Sequence, residues 1–248
     1  MKAVVFLGPS LPLDDARALL DATFLPPVAE GDVYRAALSG PDAMGLIDGY
    51  FEVIPAVWHK EILFALSRGI HVFGASSMGA LRAAELAPFG MEGVGGIFEA
   101  YRDGALEDDD EVAVLHGPAE LGYPGLAEAM VNIRDTLSAA RAAGKITPAT
   151  ADALVSLAKG LHYRERAYGE ILALGRAAGL PDADLTQLES WLPEGAVDSK
   201  RADAQRMLRV MSERFAQGLK PKRVRFNFEH TTLWERATQL ATADPPAR

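Results

Sequence analysis

The sequence predicts an α/β protein with a mostly parallel, open sheet of Rossmann-like βαβ topology, followed by an α-helical C-terminal region. In the first half, short apolar runs alternate with helical patterns, which indicates right-handed crossovers and helices on both faces of a five-stranded sheet. From residue 126 onward the periodicity is continuously helical. The predicted strands are residues 3–7, 23–25, 44–47, 70–73 and 112–115, and the helices between them are residues 14–21, 31–38, 56–67, 77–86 and 93–101.

The pattern divides the 248 residues into an α/β core domain, residues 1–125, and a helical region, residues 126–248. In the second part an extended basic segment at residues 220–228 precedes a frayed tail at residues 241–248. The helices predicted there are residues 126–142, 148–158, 161–178, 183–192 and 199–215.

Composition excludes several classes of function. Twenty-five Lys and Arg against 34 Asp and Glu give a net charge of −9, so nucleic acid is not expected as a partner. The chain has neither a membrane-spanning apolar run nor the apolar core of a signal peptide, and a cytoplasmic protein is therefore expected. Because cysteine is absent, a thiolate metal site, an iron–sulfur cluster, a cysteine nucleophile and a persulfide on this chain are excluded.

No cofactor and no metal are expected. The glycines at residues 93–96 lack the Gly-Lys-Ser/Thr sequence of a P-loop, and the turn at residues 8–12 is not a dinucleotide fingerprint. The acidic run at residues 107–111 lacks the alternating ligands and glycine turn of a calcium loop. It is predicted to be a solvated turn, with a docking surface for a basic partner as the alternative.

The segment GASSMGALRAAEL at residues 74–86 runs from a predicted strand through two serines into an amphipathic helix. Such a helix N-terminus stabilises an anion or an oxyanion through its free N–H groups and the helix dipole. A relaxed nucleophile elbow, small-x-Ser-x-Gly, is centred on Ser77 and ends at Gly79. Alternatively, Ser76 or Ser77 is simply the N-cap of the helix.

Further polar groups follow the other predicted strands, whose carboxyl ends share one edge of the sheet. Asp48 ends a central strand and is a candidate acid, base or orienting group, with a turn or cap as the alternative. His59, at the start of the next helix, and His116, after the last predicted strand, are candidate bases. Arg82 either clamps a carboxylate or phosphate or forms a surface pair with Glu85.

These motifs, taken in order, resemble the TfuA-like proteins, and the resemblance is dense up to about His116. It rests on FLGPSL at residues 6–11, PP at 26–27, GD at 31–32, IDG at 47–49, VWHKEI at 57–62, GASSMGALRAAEL at 74–86, FGM at 89–91, IFEAY at 97–101 and DDDEV at 108–112.

The resemblance implies partnership with a YcaO enzyme, which modifies peptide backbones and, together with a TfuA protein, replaces a peptide amide oxygen with sulfur. In that role the chain would supply sulfur by hydrolysing the C-terminal thiocarboxylate of a ubiquitin-like sulfur-carrier protein, with the precursor peptide as a further partner. For this chemistry, Ser77 is the expected nucleophile or oxyanion-site residue, and Ser76 is the second choice. The expected base is Asp48, His59 or His116, and the expected substrate-binding residues are Ser10, Gly74, Met78, Gly79 and Arg82.

Two other functions stay open. The chain is alternatively a non-catalytic adaptor or allosteric activator that docks the sulfur carrier and the YcaO enzyme, since a strict Gly-x-Ser-x-Gly and an obvious Ser-His-Asp order are missing. A generic serine hydrolase is the third possibility.

Overall fold

The computed structural model describes residues 1–50, 52 and 54–242. Its contacts divide the chain into two units. The first comprises Met1–Glu107 and the chain from Arg201 onward, and the second is Asp108–Lys200. The division into a core domain of residues 1–125 and a helical region of residues 126–248 stays a prediction.

The first unit contains a five-stranded parallel sheet with the strand order β2-β1-β3-β4-β5, which confirms the α/β class. This is one of the two common strand orders of doubly wound sheets. The strand after β1 is added on one side of it and the later strands on the other side, so the strand order reverses between β1 and β3. The strands are β1 (Ala3–Phe6), β2 (Thr23–Leu25), β3 (Ala43–Leu46), β4 (His71–Gly74) and β5 (Glu92–Gly93). The helices between or after them are α1 (Leu13–Leu19), α2 (Asp32–Leu38), α3 (His59–Ser67), α4 (Met78–Leu86) and α5 (Gly96–Arg102).

The predicted strand at residues 112–115 is wrong, and the fifth strand is β5 instead. Val112 and Ala113 are buried without forming a ladder, and the carbonyl of Val112 accepts a hydrogen bond of 2.7 Å from the Lys200 ammonium. A short apolar run does not distinguish a strand from a buried irregular segment. His116 therefore does not follow a strand of the sheet.

One face of the sheet is covered by α1 together with α10 (Ser199–Gln217), the long helix near the C-terminus. Gly45, in the central strand β3, leaves room for this helix, because an added Cβ would lie 2.9 Å from the Met207 side chain and 3.0 Å from that of Met211. Asp203 of the same helix accepts hydrogen bonds from the N–H groups of Gly96 and Ile97 at 3.0 and 2.9 Å. These N–H groups at the start of α5 have no partner within their own helix.

The start of α4 lies directly against the ends of β3 and β4. A Cβ at Gly79 would lie 1.8 Å from the carbonyl oxygen of Leu46, and a Cβ at Gly74 would lie 2.2 Å from that of Gly79. The N–H of Gly79 donates to Ile47 at 3.2 Å. Only glycine permits this approach, which places the two serines at the edge formed by the strand ends.

The second unit is helical, with α6 (Met130–Ala142), α7 (Pro148–Gly160), α8 (Tyr168–Ala177) and α9 (Asp182–Gly195). Apolar residues from all four helices form its core, among them Ile133, Leu154, Ile171 and Leu185. Thr147 caps α7 by accepting the N–H of Thr150 at 3.2 Å.

The acidic run at residues 107–111 is exposed at residues 107–109, as predicted for a solvated turn, but the carboxylates of residues 108, 110 and 111 form an ion-pair centre of this unit. The ammonium of Lys159 lies 3.0 Å from Asp108 and 3.0 Å from Glu111 and also binds Asp110. Glu111 is buried and is held by Arg134 through two hydrogen bonds of 2.8 and 2.9 Å. Asp110 is further bound by the fully buried Arg166.

The basic segment at residues 220–228 lacks regular secondary structure and leads to α11 (Thr232–Thr242). Its side chains alternate between half-buried and exposed, and Phe228 packs on Phe64 and Trp234 with ring centroids 5.5 and 5.1 Å apart. Of the tail predicted at residues 241–248, Ala241 and Thr242 belong to α11 and residues 243–248 lie outside the described residues. In the described part of the chain, no helix combines the length and apolar character that crossing a bilayer requires.

We expect Gly79→Ala to lower the free energy of unfolding by about 3 kcal/mol, because the new methyl group overlaps the Leu46 carbonyl. Denaturant unfolding followed by circular dichroism measures the change. Gly96→Ala is the control, since a Cβ there meets nothing within 4 Å, and it should alter stability by less than about 1 kcal/mol. Equal stability of the two variants would contradict the close contact between Gly79 of α4 and Leu46 of β3.

Lys159→Met should lower the free energy of unfolding at neutral pH by about 1–2 kcal/mol. This estimate lies between the losses expected when an exposed salt bridge and a buried salt bridge are broken. Burial acts to raise the pKa values of Asp110 and Glu111, but hydrogen bonds from Lys159, Arg166 and Arg134 hold both below the ordinary values of 3.8 and 4.5. Carboxyls with lowered pKa values stabilise the fold above those ordinary values and lose this contribution as the pH falls through the lowered ones.

The difference between the variant and the parent should therefore shrink as the pH falls from about 5 to about 3, as measured by urea unfolding. Lys145→Met, which removes a lysine outside this centre, is the control. A difference that is independent of pH would mean that Lys159 stabilises the unit only through its aliphatic chain.

Candidate functional site

The candidate site lies at the carboxyl ends of β1 and β3, between which the strand order of the sheet reverses. Asp48 follows β3 and is 1% exposed. Its Oδ2 accepts the N–H groups of Gly8 and Ser10 at 2.9 and 3.1 Å, and its Oδ1 accepts the Ser10 hydroxyl at 2.6 Å. A buried carboxylate needs such donors, and these three join the ends of the two strands.

Ser76 extends this arrangement to β4. Its hydroxyl donates to the Ser10 Oγ at 2.9 Å, and the Ser10 hydroxyl donates in turn to Asp48. Ser76 is 0% exposed and Ser10 is 5% exposed, so the whole chain of hydrogen bonds is shielded from water. The result is an unbranched path for a proton from Ser76 through Ser10 to a carboxylate.

The backbone of Ser76 is in the left-handed region, with φ of 67°. This conformation is uncommon for residues other than glycine, and strain of this kind is concentrated at functional sites. The turn is sharp because Gly74 and Gly79 bring β4 and α4 together. The strained position that a nucleophile elbow requires is thus occupied by Ser76, whereas the sequence motif centred the elbow on Ser77.

Ser77 occupies the N-cap position of α4, yet its side chain makes no capping hydrogen bond. Its N–H donates to Ala75 at 2.8 Å, so this group is not free for an oxyanion. The N–H of Met78 donates to no backbone carbonyl within the described residues. Of the N–H groups of Ser77 and Met78 at the start of α4, that of Met78 is therefore the better candidate donor to an oxyanion.

Arg82, Glu85 and His59 form a separate cluster. Arg82 donates to Glu85 at 2.8 Å and to the carbonyl of Val57 at 3.2 Å, and a nitrogen of His59 lies 2.8 Å from the same Glu85 oxygen. Burial alone would raise the pKa of Glu85, but the hydrogen bonds from His59 and Arg82 hold it below its usual value. The structure thus shows the Arg82–Glu85 pair, and Arg82 holds the segment before α3 against α4.

His116 belongs to the second unit. Its Nδ1 lies 2.8 Å from the carbonyl of Gly117, and its ring is edge-on to Tyr123 with centroids 5.5 Å apart. Asp48, by contrast, is the candidate base for which a hydrogen bond to a serine is observed, at 2.6 Å from the Ser10 hydroxyl.

The acidic run of the second unit is the one place in the described residues where three carboxylates could share a metal ion. Oxygens of Asp108, Asp110 and Glu111 lie within 4.8 Å of one another. The ammonium of Lys159 already contacts all three and supplies the positive charge that a cation would bring.

Two features of this edge were missed from the sequence. The N–H of Gly8 is an Asp48 ligand, and backbone donors of this kind leave no sequence signal. Glu61 is a second buried carboxylate, which accepts the N–H groups of Gly31, Tyr34 and Trp58 at 2.9, 3.2 and 3.2 Å. Its position in the first turn of α3 is the signal that could have found it, because acidic residues there often bind backbone N–H groups.

Comparison with known proteins finds one family. Residues 48–167 match the family model described as TfuA-like protein. The matched stretch begins at Asp48, contains Ser76 and Ser77 and ends in the second unit, whereas Ser10 precedes it. No curated protein matches the sequence significantly. The match covers 120 of the 248 residues and supports a TfuA-like protein.

Proposed function

We propose that this chain supplies sulfur to a YcaO enzyme by hydrolysing the C-terminal thiocarboxylate of a ubiquitin-like sulfur-carrier protein. The TfuA-like family is associated with YcaO enzymes and with peptide thioamidation, which supports the partnership. The observation that carries the hydrolytic step is the hydrogen-bond path from Ser76 through Ser10 to Asp48.

In the first step, the Ser76 oxygen attacks the thiocarboxylate carbon. Its proton passes to Ser10 while Ser10 passes its own proton to Asp48, along hydrogen bonds of 2.9 and 2.6 Å. The carbon–oxygen bond forms, the carbon–sulfur bond breaks, and the sulfur leaves as hydrosulfide with the proton that Asp48 received. Water then hydrolyses the acyl-serine and releases the carboxylate, one proton and the free Ser76.

The negative charge that develops on the carbonyl oxygen needs a donor near Ser76. The N–H of Met78, at the first position of α4, is next but one to Ser76 along the chain, and the helix dipole adds to its effect. Water is the only co-reactant, and no cysteine is required, in agreement with the absence of this residue from the chain.

One observation favours a second function, a non-catalytic adaptor that docks the carrier and the YcaO enzyme. Ser76 is fully buried, so a carbonyl reaches its oxygen only after the residues around it move. If they do not move, Asp48 and the two serines cross-link three strand ends and nothing more. Measured turnover separates the two functions directly.

We expect the purified protein, without a YcaO enzyme, to convert a thiocarboxylated carrier to the carboxylate. Mass spectrometry follows the exchange of sulfur for oxygen, and a colorimetric assay follows sulfide release. Ser76→Ala should lower the rate by about 100-fold or more, since it removes the nucleophile. Ser10→Ala should also lower the rate strongly, because it interrupts the proton path to Asp48.

Ser190→Ala is the matched control, because its hydroxyl bonds only to its own helix at an exposed position. Circular dichroism checks that each variant is folded, and Ser76→Ala is the cleaner variant because it leaves the Ser10–Asp48 bond in place. Conversion no faster than the spontaneous rate would refute the hydrolase and leave the adaptor. A simple nitrophenyl ester hydrolysed as well as the carrier would indicate a generic serine hydrolase instead.

A further inference from the structure

The first unit contains a cavity of about 200 Å³ that the proposed hydrolysis does not use. Its walls are the start of α2, the segment before α3 and one side of α11. Its lining includes Glu30, Tyr34, Trp58, Glu61, Trp234 and Ala237. All of them belong to the same unit as the sheet.

Three of the lining side chains are aromatic. Tyr34 and Trp234 pack edge to face with centroids 5.4 Å apart, and Trp58 lines the same cavity. Aromatic faces attract organic cations through the negative charge above the ring, and they also cover the aliphatic part of such a ligand. The walls thus suit a ligand with an apolar body.

Two carboxylates, those of Glu30 and Glu61, make the cavity negatively charged. Glu61 is 3% exposed, and its three hydrogen-bond partners are neutral backbone N–H groups. Glu30 is half-buried and forms no ion pair within the described residues. Arg35 is the one cation in the lining, and Asp32 already neutralises it through a hydrogen bond of 2.5 Å.

The balance of charge is therefore negative in a largely apolar space. Burial raises the pKa of Glu61, while the hydrogen bonds from Gly31, Tyr34 and Trp58 act in the opposite direction. A cation beside this carboxyl would favour its ionised form. Neither an anionic nor a neutral ligand would compensate the two carboxylates.

We propose that this cavity binds an ammonium group carried on a short aliphatic chain, such as a lysine side chain of a peptide or a free alkylamine. The ammonium lies toward Glu61 and Glu30, and the methylene groups lie against the aromatic side chains. This site is separate from the serines and does not depend on whether hydrolysis occurs.

Titration with n-butylammonium, 1-butanol and butyrate tests the sign of charge that the cavity prefers, because each probe carries one polar group on an unbranched aliphatic chain of three or four carbons. Tryptophan fluorescence is the readout, since two of the three tryptophans line the cavity. A probe of about five heavy atoms is expected to bind with a dissociation constant near 1 mM. We expect butylammonium to bind at least about tenfold more tightly than butanol, and butyrate more weakly still.

The variants locate the site. Glu61→Gln should weaken butylammonium binding by about tenfold, and Glu30→Gln, which changes a half-buried residue, does so without disturbing the buried hydrogen bonds. Ala237→Leu should fill the cavity and abolish binding. Glu235→Gln, on the same helix but outside the lining, is the matched control and should bind like the parent.

A capped tripeptide with a central lysine identifies the source of the ammonium. Binding tighter than that of butylammonium assigns the site to a peptide, and weaker binding assigns it to a free amine. Equal binding of butanol and butylammonium would overturn the proposal. So would the absence of any signal up to about 10 mM butylammonium, or binding that Ala237→Leu leaves unchanged.

Discussion

The buried carboxylate of Asp48 is the interaction on which the site depends. It binds two N–H groups and one hydroxyl from the segment after β1, and through Ser10 it reaches Ser76 after β4. Three strand ends are thereby joined at one carboxylate. Because a buried charge is costly without donors, loss of any of these bonds would disturb the whole edge. Stability and the proposed proton path therefore rest on the same few atoms.

Close packing of α4 puts Ser76 within reach of that carboxylate. Gly79 lets the helix touch the Leu46 carbonyl, and Gly74 lets the chain turn immediately after β4. The turn drives Ser76 into the left-handed region, where its hydroxyl meets Ser10. The strain at Ser76 is thus a consequence of how closely the helix approaches the sheet, and side-chain chemistry follows from backbone packing.

Most of the sheet could be predicted from the sequence, because β1, β3 and β4 are buried apolar runs between turn residues. β5 could not, since it has two residues, one of them Glu92, and its place depends on its neighbour β4. The packing of Met207 on Gly45 was equally hidden, because it joins residues far apart in the chain. The polar residues at the strand ends could be named from the sequence, whereas the proposal of Ser76 rather than Ser77 as the nucleophile depends on a backbone angle that residue types do not encode.

The free energies of the Ser76 backbone conformation and of its hydrogen bond show how much this side chain contributes to stability. A left-handed conformation costs a residue other than glycine roughly 1 kcal/mol or more. The hydrogen bond to Ser10 contributes about as much in return, so serine gains little stability there over glycine. What serine adds at this position is a hydroxyl aimed along the path to Asp48. The proposed acyl transfer requires this placement, because the proton of the attacking hydroxyl must reach the Asp48 carboxylate.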